Sequence, residues 1–179
     1  LDVVDVDGAV NFAADVTFAD GADIITASAG TSNFRAGANA GNAIASGGNY
    51  NVAIGDQAGA TLTTGDSNTF VGYTAGDAVT TANNVTAVGA NALSANTSAA
   101  NNVAVGHDAL KLNTTGTGNV AVGTYVLDAN TDSTGNTGVG YQVLTANTDG
   151  DNSTGVGYQA LAANTTGSQV TGIGYHAGT

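Results

Sequence analysis

The sequence contains no proline, cysteine, methionine or tryptophan, and all fourteen of its acidic residues are aspartate. Without cysteine the chain cannot form disulfides, thiolate metal sites or cysteine nucleophiles. Without proline every residue keeps the backbone N–H that a stacked sheet requires. The chain also has no apolar run long enough to span a membrane, and it shows no signal-peptide pattern at its start.

Positive charge is almost absent. Arg35 and Lys111 are the only cations other than histidine, and the formal net charge is −12. A chain of this charge repels the phosphate backbone of nucleic acids and anionic lipid surfaces. We therefore expect no nucleic-acid partner and no membrane insertion.

Glycine, threonine, asparagine and valine dominate the 179 residues, with 27 glycines, whereas strong helix formers other than alanine are scarce. This composition disfavours helices and predicts an all-β protein.

A strict repeat covers most of the chain. A valine or isoleucine followed by glycine recurs every 17 residues in eight copies without an insertion, at Gly55, Gly72, Gly89, Gly106, Gly123, Gly140, Gly157 and Gly174. The residue eight places after a repeat glycine is always threonine, at Thr63, Thr80, Thr97, Thr114, Thr131, Thr148 and Thr165. We interpret both columns as structural ladders of a stacked array.

This period predicts a parallel β-roll or β-solenoid of eight 17-residue coils, each with two short strands and two tight turns. At about 4.8 Å per coil, eight coils form a rod roughly 38 Å long. A slip of one residue would turn the apolar residues of a coil to the wrong face, so a constant period is what stacking requires.

Alternation predicts that the valine or isoleucine before each glycine faces inward, as does the residue two places earlier, such as Val103. The small residue between them, such as Ala104, then lies on a face that approaches a neighbour closely. Asparagines that precede the threonine column predict a turn, and their amides can bond from coil to coil.

The chain divides into three predicted segments. Residues 1–32 alternate apolar and polar residues around Asp-Gly turns, which predicts a short-strand connector or shaft. Residues 33–50 resemble a degenerate first coil, and residues 51–179 form the solenoid. Because Leu1 is not methionine, we expect a processed chain or an excised segment. Thr179 falls partway round a coil, so we expect that the native polypeptide continued or that a partner covers the open end of the solenoid.

Several segments carry a family resemblance. Asn102-Val103-Ala104-Val105-Gly106 resembles the repeat motif of YadA-like heads of trimeric autotransporter adhesins, and the unit from Asn136 to Thr148 resembles repeats of bacteriophage tail-fibre proteins. The resemblance implies a left-handed roll, three chains side by side as a homotrimer, and a role in host or surface attachment. The period of 17 residues is longer than that of the adhesin heads.

Tyrosines recur directly after the repeat glycine, at Tyr73, Tyr141, Tyr158 and Tyr175. Such a column is a candidate for receptor or glycan contact, although aromatic residues also stack along a rod or seal the seam between subunits.

Two other columns suggest weaker alternatives. The threonine column suggests ice binding, but that activity needs two outward threonines flanking an inward residue on each coil. Asp66, Asp132, Asp149 and Asp151 lie near one turn and suggest calcium, although solvated surface charge is the simpler interpretation.

His107 and His176 occupy different positions in the repeat, so they predict neither zinc binding nor general-base chemistry, and no catalytic triad is visible. We expect a non-enzymatic protein without a cofactor. The predicted function is a structural and adhesive fibre segment of a virion tail fibre or another extracellular appendage. The alternatives are the head of a bacterial trimeric adhesin and an ice- or carbohydrate-binding solenoid.

Overall fold

The computed structural model describes residues 30–178, which contain nine short strands and no helix. The predicted connector at 1–32 lies outside the described residues except for its last three. The strands are β1 (Phe34–Ala36), β2 (Val52–Ile54), β3 (Thr69–Val71), β4 (Thr86–Val88), β5 (Val103–Val105), β6 (Val120–Val122), β7 (Thr137–Val139), β8 (Thr154–Val156) and β9 (Thr171–Ile173).

All nine strands pair in parallel in one sheet whose order follows the sequence, so the chain advances one strand per coil. From β2 onward, paired residues lie 17 positions apart, as Ala104 and Ala121 do. The step from β1 to β2 is 18 residues, with Arg35 opposite Ala53. The predicted β-solenoid of 17-residue coils is therefore confirmed. The left hand of the winding stays a prediction.

The predicted orientation of the strands was wrong. In each of β2 to β9 the middle residue is buried, whereas the two flanking residues are partly or fully exposed. Ala104 is fully buried within the apolar core, and Val103 and Val105 lie outside it. The roll is thin, so the middle position of the strand holds alanine or glycine, or in β3 a phenylalanine that packs against neighbouring glycines. The β-branched residues face outward.

The prediction of two strands per coil was also wrong. The side opposite the sheet consists of turns, because residues two and four places after the repeat glycine adopt left-handed backbone conformations. In the fifth coil these residues are Tyr125 at φ 55° and Leu127 at φ 52°. An extended strand cannot contain such residues.

Leucine in the left-handed region is unusual, yet five leucines adopt it at φ 50–53°: Leu93, Leu110, Leu127, Leu144 and Leu161. That conformation costs about 1–2 kcal/mol per residue. Full burial of a leucine side chain contributes about 1.5–3 kcal/mol, and these five side chains are at most 2% exposed. Burial therefore offsets the backbone strain.

The repeat glycines meet one another along the rod. Gly106 has φ 137°, and a Cβ atom on it would lie 2.6 Å from the carbonyl carbon of Gly123 in the next coil. Any side chain at this position would both strain the backbone and block the close approach of the coils.

Two asparagine ladders satisfy buried backbone groups. In the inner ladder, directly before the strands, Asn119 accepts the N–H of Asn136 at 2.9 Å and donates to the carbonyl of Ser133 at 2.8 Å. In the turn ladder, Asn130 donates from Nδ2 to Oδ1 of Asn113 at 2.8 Å. The predicted coil-to-coil bonding of the turn asparagines is thus confirmed.

Core volumes compensate between neighbouring coils. Phe70 replaces the usual alanine in β3, and Gly59 and Gly76 stand where later coils have leucine. A Cβ atom on Gly59 would lie 2.6 Å from Cδ2 of Phe70. Conversely, Gly138 in β7 makes room for Val126, whose Cγ1 would lie 2.5 Å from a Cβ at that glycine.

We expect Phe70→Ala to lower the free energy of unfolding by about 3–5 kcal/mol because it leaves a cavity. The triple variant Phe70→Ala, Gly59→Leu, Gly76→Leu should recover most of the loss, since it recreates the alanine–leucine pairing of later coils. Both glycines already have the left-handed φ of those leucines. Guanidinium unfolding measures the difference.

The matched control is Gly59→Leu with Gly76→Leu on the native Phe70 background. Overpacking should destabilise it by about 1–3 kcal/mol. A triple variant no more stable than Phe70→Ala alone would refute the compensation.

Candidate interaction surfaces

The strand face is the outward surface of β2 to β9, formed by the first and third residues of each strand. Its sixteen positions contain only valine, isoleucine and threonine: Val52, Ile54, Thr69, Val71, Thr86, Val88, Val103, Val105, Val120, Val122, Thr137, Val139, Thr154, Val156, Thr171 and Ile173. Because the strands pair in register, these residues form two straight columns along the rod.

The strand face is uncharged although the protein carries a net charge of −12. Eight strands at about 4.8 Å and three residues at about 3.3 Å give it an area of roughly 400 Å². The largest apolar patch of a typical monomer has about this size and is often functional, so the strand face is a candidate contact site.

Three of the predicted site tyrosines stack along the rod and form the tyrosine ladder, Tyr141, Tyr158 and Tyr175. The ring centroids of Tyr141 and Tyr158 are 5.3 Å apart with planes at 18°, and those of Tyr158 and Tyr175 are 5.4 Å apart at 15°. Their exposed fractions rise from 39% through 45% to 76%. The stack uses the ring faces, so the side chains present mainly edges and hydroxyls to solvent.

The fourth predicted tyrosine, Tyr73, stands apart. It is 55% exposed, and its neighbours in the column are Asp56 and Ala90 rather than aromatic residues. The structure therefore brings together only three of the four tyrosines.

Other aromatic residues extend the ladder by edge contacts. The ring centroids of Tyr125 and Tyr141 are 6.3 Å apart with planes at 79°, and those of His107 and Tyr125 are 5.5 Å apart with planes at 81°. Tyr125 belongs to the column two places after the glycine, so a search confined to the residue after the glycine misses it.

Most hydroxyls of the threonine column donate hydrogen bonds within the protein. Oγ1 of Thr63 donates to the carbonyl of Thr80 at 2.9 Å, and Thr80 and Thr114 bond in the same way to the next threonine. These hydroxyls stabilise the turns, so the column differs from the open hydroxyl array that ice binding requires.

The turn aspartates divide into two kinds. Asp66 and Asp151 accept backbone N–H groups from the preceding coil at 2.7 Å, whereas Asp132 and Asp149 are exposed. Within residues 30–178, no group of three histidine or acidic residues is placed to hold a metal ion.

Asp108 centres a small charged cluster. Its carboxylate accepts from Nδ2 of Asn91 at 2.8 Å and from Nζ of Lys111 at 3.1 Å, and Nδ1 of His107 lies 3.7 Å away. Burial opposes ionisation, but the bonds from Asn91 and Lys111 outweigh it and lower the pKa of Asp108.

Asp77 is the opposite case. Its Oδ1 is buried without a hydrogen-bond partner. Burial raises the pKa of Asp77 despite the opposing backbone N–H groups of Ala78 and of Asp77 itself. The ionised form is therefore disfavoured in the folded protein.

No protein-family model, curated protein or solved structure matches this chain. In the described part of the chain, no helix has the length and apolar character needed to cross a membrane.

The two perturbed carboxylates predict opposite effects of amide substitution at neutral pH. Asp108→Asn should lose stability, by less than about 1 kcal/mol, because it removes the charge that pairs with Lys111, whose side chain is 42% exposed. Asp77→Asn should gain stability because it removes a disfavoured charge. Chemical unfolding between pH 7 and pH 2 measures both effects.

The pH dependence follows from the direction of each pKa shift, relative to the ordinary value of 3.8. The stabilisation from Asp108 is fully present above pH 3.8 and is lost as pH falls through its lowered folded pKa. The penalty from Asp77 is absent below pH 3.8 and grows as pH rises through its raised folded pKa. Asp149→Asn, at an exposed carboxylate, is the charge-matched control. Parallel pH curves for the three variants would contradict the assignment.

Proposed function

We propose that the chain is a structural and adhesive segment of a phage tail fibre or a similar extracellular fibre, and that three copies associate through their strand faces. The observation that supports this proposal most directly is the uncharged strand face, which runs without interruption along eight coils. The location in a virion or another extracellular appendage belongs to the same proposal.

The backbone supports a stiff rod. Hydrogen bonds run along its axis on both sides of each coil, as from Val103 N–H to Asn119 carbonyl at 2.8 Å and from Leu110 N–H to Val126 carbonyl at 3.0 Å. The asparagine ladders add side-chain bonds in the same direction. Bending the rod would strain many of these bonds together.

Charge favours association between copies through this face. Two surfaces of a protein with net charge −12 repel each other wherever aspartates meet. The strand face contains no aspartate, so copies can approach there without direct like-charge contacts. Its roughly 400 Å² is below the ~800 Å² per partner of a standard interface, so flanking turn residues must contribute.

Three copies would present three identical outer surfaces. The tyrosine ladder lies beyond the repeat glycine at the edge of the sheet and is a candidate receptor contact in each copy. Simultaneous contacts by three such surfaces would raise the overall affinity for a repetitive host surface. The family resemblance supports the proposed number of chains, and the uncharged strand face supports the proposed contact surface.

Light scattering after size exclusion should give the mass of three 17.2-kDa chains. The double variant Val105→Lys, Val122→Lys should shift the protein to a folded monomer, because outward lysines would oppose one another across the interface. Circular dichroism checks that the β signal remains.

The matched control is Ser98→Lys, Thr115→Lys, which introduces the same residue type and the same charge at two exposed turn positions in adjacent coils, outside the strand face. It should remain trimeric. A native protein that is monomeric at micromolar concentration, or a strand-face variant that stays trimeric, would refute association through this face.

A bacterial trimeric adhesin head is an alternative with the same assembly. Adjoining sequence discriminates between them: a downstream membrane anchor indicates the adhesin, and a baseplate-attachment or chaperone segment indicates the virion.

The strand face also favours a second candidate, an ice-binding solenoid. Each of its strands has two outward residues flanking an inward one, and threonine occupies the first position in β3, β4, β7, β8 and β9. We expect a monomer with measurable freezing hysteresis if this candidate holds. Loss of the hysteresis in Thr137→Lys but not in Thr115→Lys would assign it to the strand face, and absence of hysteresis in the native protein would eliminate it.

A further inference from the structure

The tyrosine ladder combines accessibility with contact between identical reactive rings. Tyr158 lies 5.3 Å from Tyr141 and 5.4 Å from Tyr175, measured between ring centroids, with planes within 18° of parallel. All three side chains are at least 39% exposed, so a solvent-borne oxidant can reach them.

The composition of the chain makes tyrosine rings its most easily oxidised side chains. Cysteine, methionine and tryptophan, which commonly consume oxidants in proteins, are all absent. The chain has six tyrosines and two histidines. Tyrosine is therefore its principal target for one-electron oxidation.

We propose that the tyrosine ladder is a site of oxidative cross-linking, in which a one-electron oxidant such as a peroxidase with hydrogen peroxide couples Tyr158 to Tyr141 or to Tyr175 within one chain. The product is a dityrosine that joins adjacent coils. This inference stands independently of the proposed association through the strand face.

The chemistry balances with the oxidant as the only co-reactant. Each of two tyrosines loses one electron to the oxidant and its phenolic proton to water. The two phenoxyl radicals form a Cε–Cε bond, and the hydrogen on each joined carbon then moves to oxygen, which restores both phenols. In total, two C–H bonds are replaced by one C–C bond, with two electrons and two protons released.

The ladder geometry favours coupling because consecutive rings are held in contact before oxidation. The backbones of successive coils are hydrogen-bonded here, with Gln159 N–H donating to the Tyr141 carbonyl at 2.9 Å and His176 N–H to the Tyr158 carbonyl at 2.9 Å. Coupling then needs only rotation of exposed side chains. Tyr73 has no stacked partner in its column and provides an internal comparison.

The test is oxidation of the full chain at low concentration with a light-driven ruthenium trisbipyridyl and persulfate system, read out by dityrosine fluorescence. We expect a strong signal in the native protein and in Tyr73→Phe. Tyr158→Phe should lose most of the signal, because it removes the shared central phenol but keeps a ring in the stack.

Peptide mapping locates the bond. Asp149 and Asp151 separate Tyr141 from Tyr158, whereas no aspartate lies between Tyr158 and Tyr175. After cleavage by an aspartate-specific protease, a 141–158 link joins two peptides. A 158–175 link instead leaves one peptide lighter by two hydrogens.

Denaturing electrophoresis separates coupling within a chain from coupling between chains. Products that migrate as single chains and an unfolding midpoint shifted to higher denaturant support the proposal. Dityrosine that persists in the double variant Tyr125→Phe, Tyr158→Phe, which also removes the edge partner of Tyr141, or that appears only in products of twice or three times the chain mass, would overturn it.

Discussion

Stacking in register along the rod is the constraint on which every other feature depends. Each residue from β2 onward lies against the residue 17 positions away, so its environment is set mainly by its own column. A side chain that bonds to its copy in the next coil can repeat the bond many times, as the asparagine ladders do. A side chain that cannot approach its copy is excluded, which explains the invariant glycine. The same constraint makes charged columns unfavourable, because like charges would lie about 4.8 Å apart.

The core shows how far a column can vary under this constraint. Phe70 fits because Gly59 and Gly76 replace leucines beside it, and Gly138 fits because Val126 is larger than the usual alanine. At Phe70 and at Gly138 the size changes therefore pair across two columns. The thin roll therefore conserves volume locally, coil by coil, as closely packed interiors do in larger folds.

The period, the parallel stacking and the turn asparagines could be predicted from the sequence because each follows from spacing alone. The orientation of the strands could not, because Val103 and Val105 are the most apolar residues of their strand and Ala104 is small. Hydrophobicity alone predicts that the valines lie in the core. The space inside the thin roll instead admits the small Ala104 and leaves the valines outside. The single strand per coil was missed because leucine gives no signal of a left-handed backbone, as at Leu127. The contact among Tyr141, Tyr158 and Tyr175 followed from the period, but the edge contact of Tyr125 required the conformation of the turn.

The paired size changes around Phe70 have a consequence for folding. In a chain of nearly identical coils, each coil could stack on a coil other than its neighbour in sequence, since most columns would match equally well after a shift of a whole repeat. Phe70 makes the alignments unequal, because its ring packs against Gly59 and Gly76. A coil stacked at the wrong position would instead place the ring against the leucines of later coils. Phe70 therefore favours one alignment of the coils over alignments that are shifted by a whole repeat.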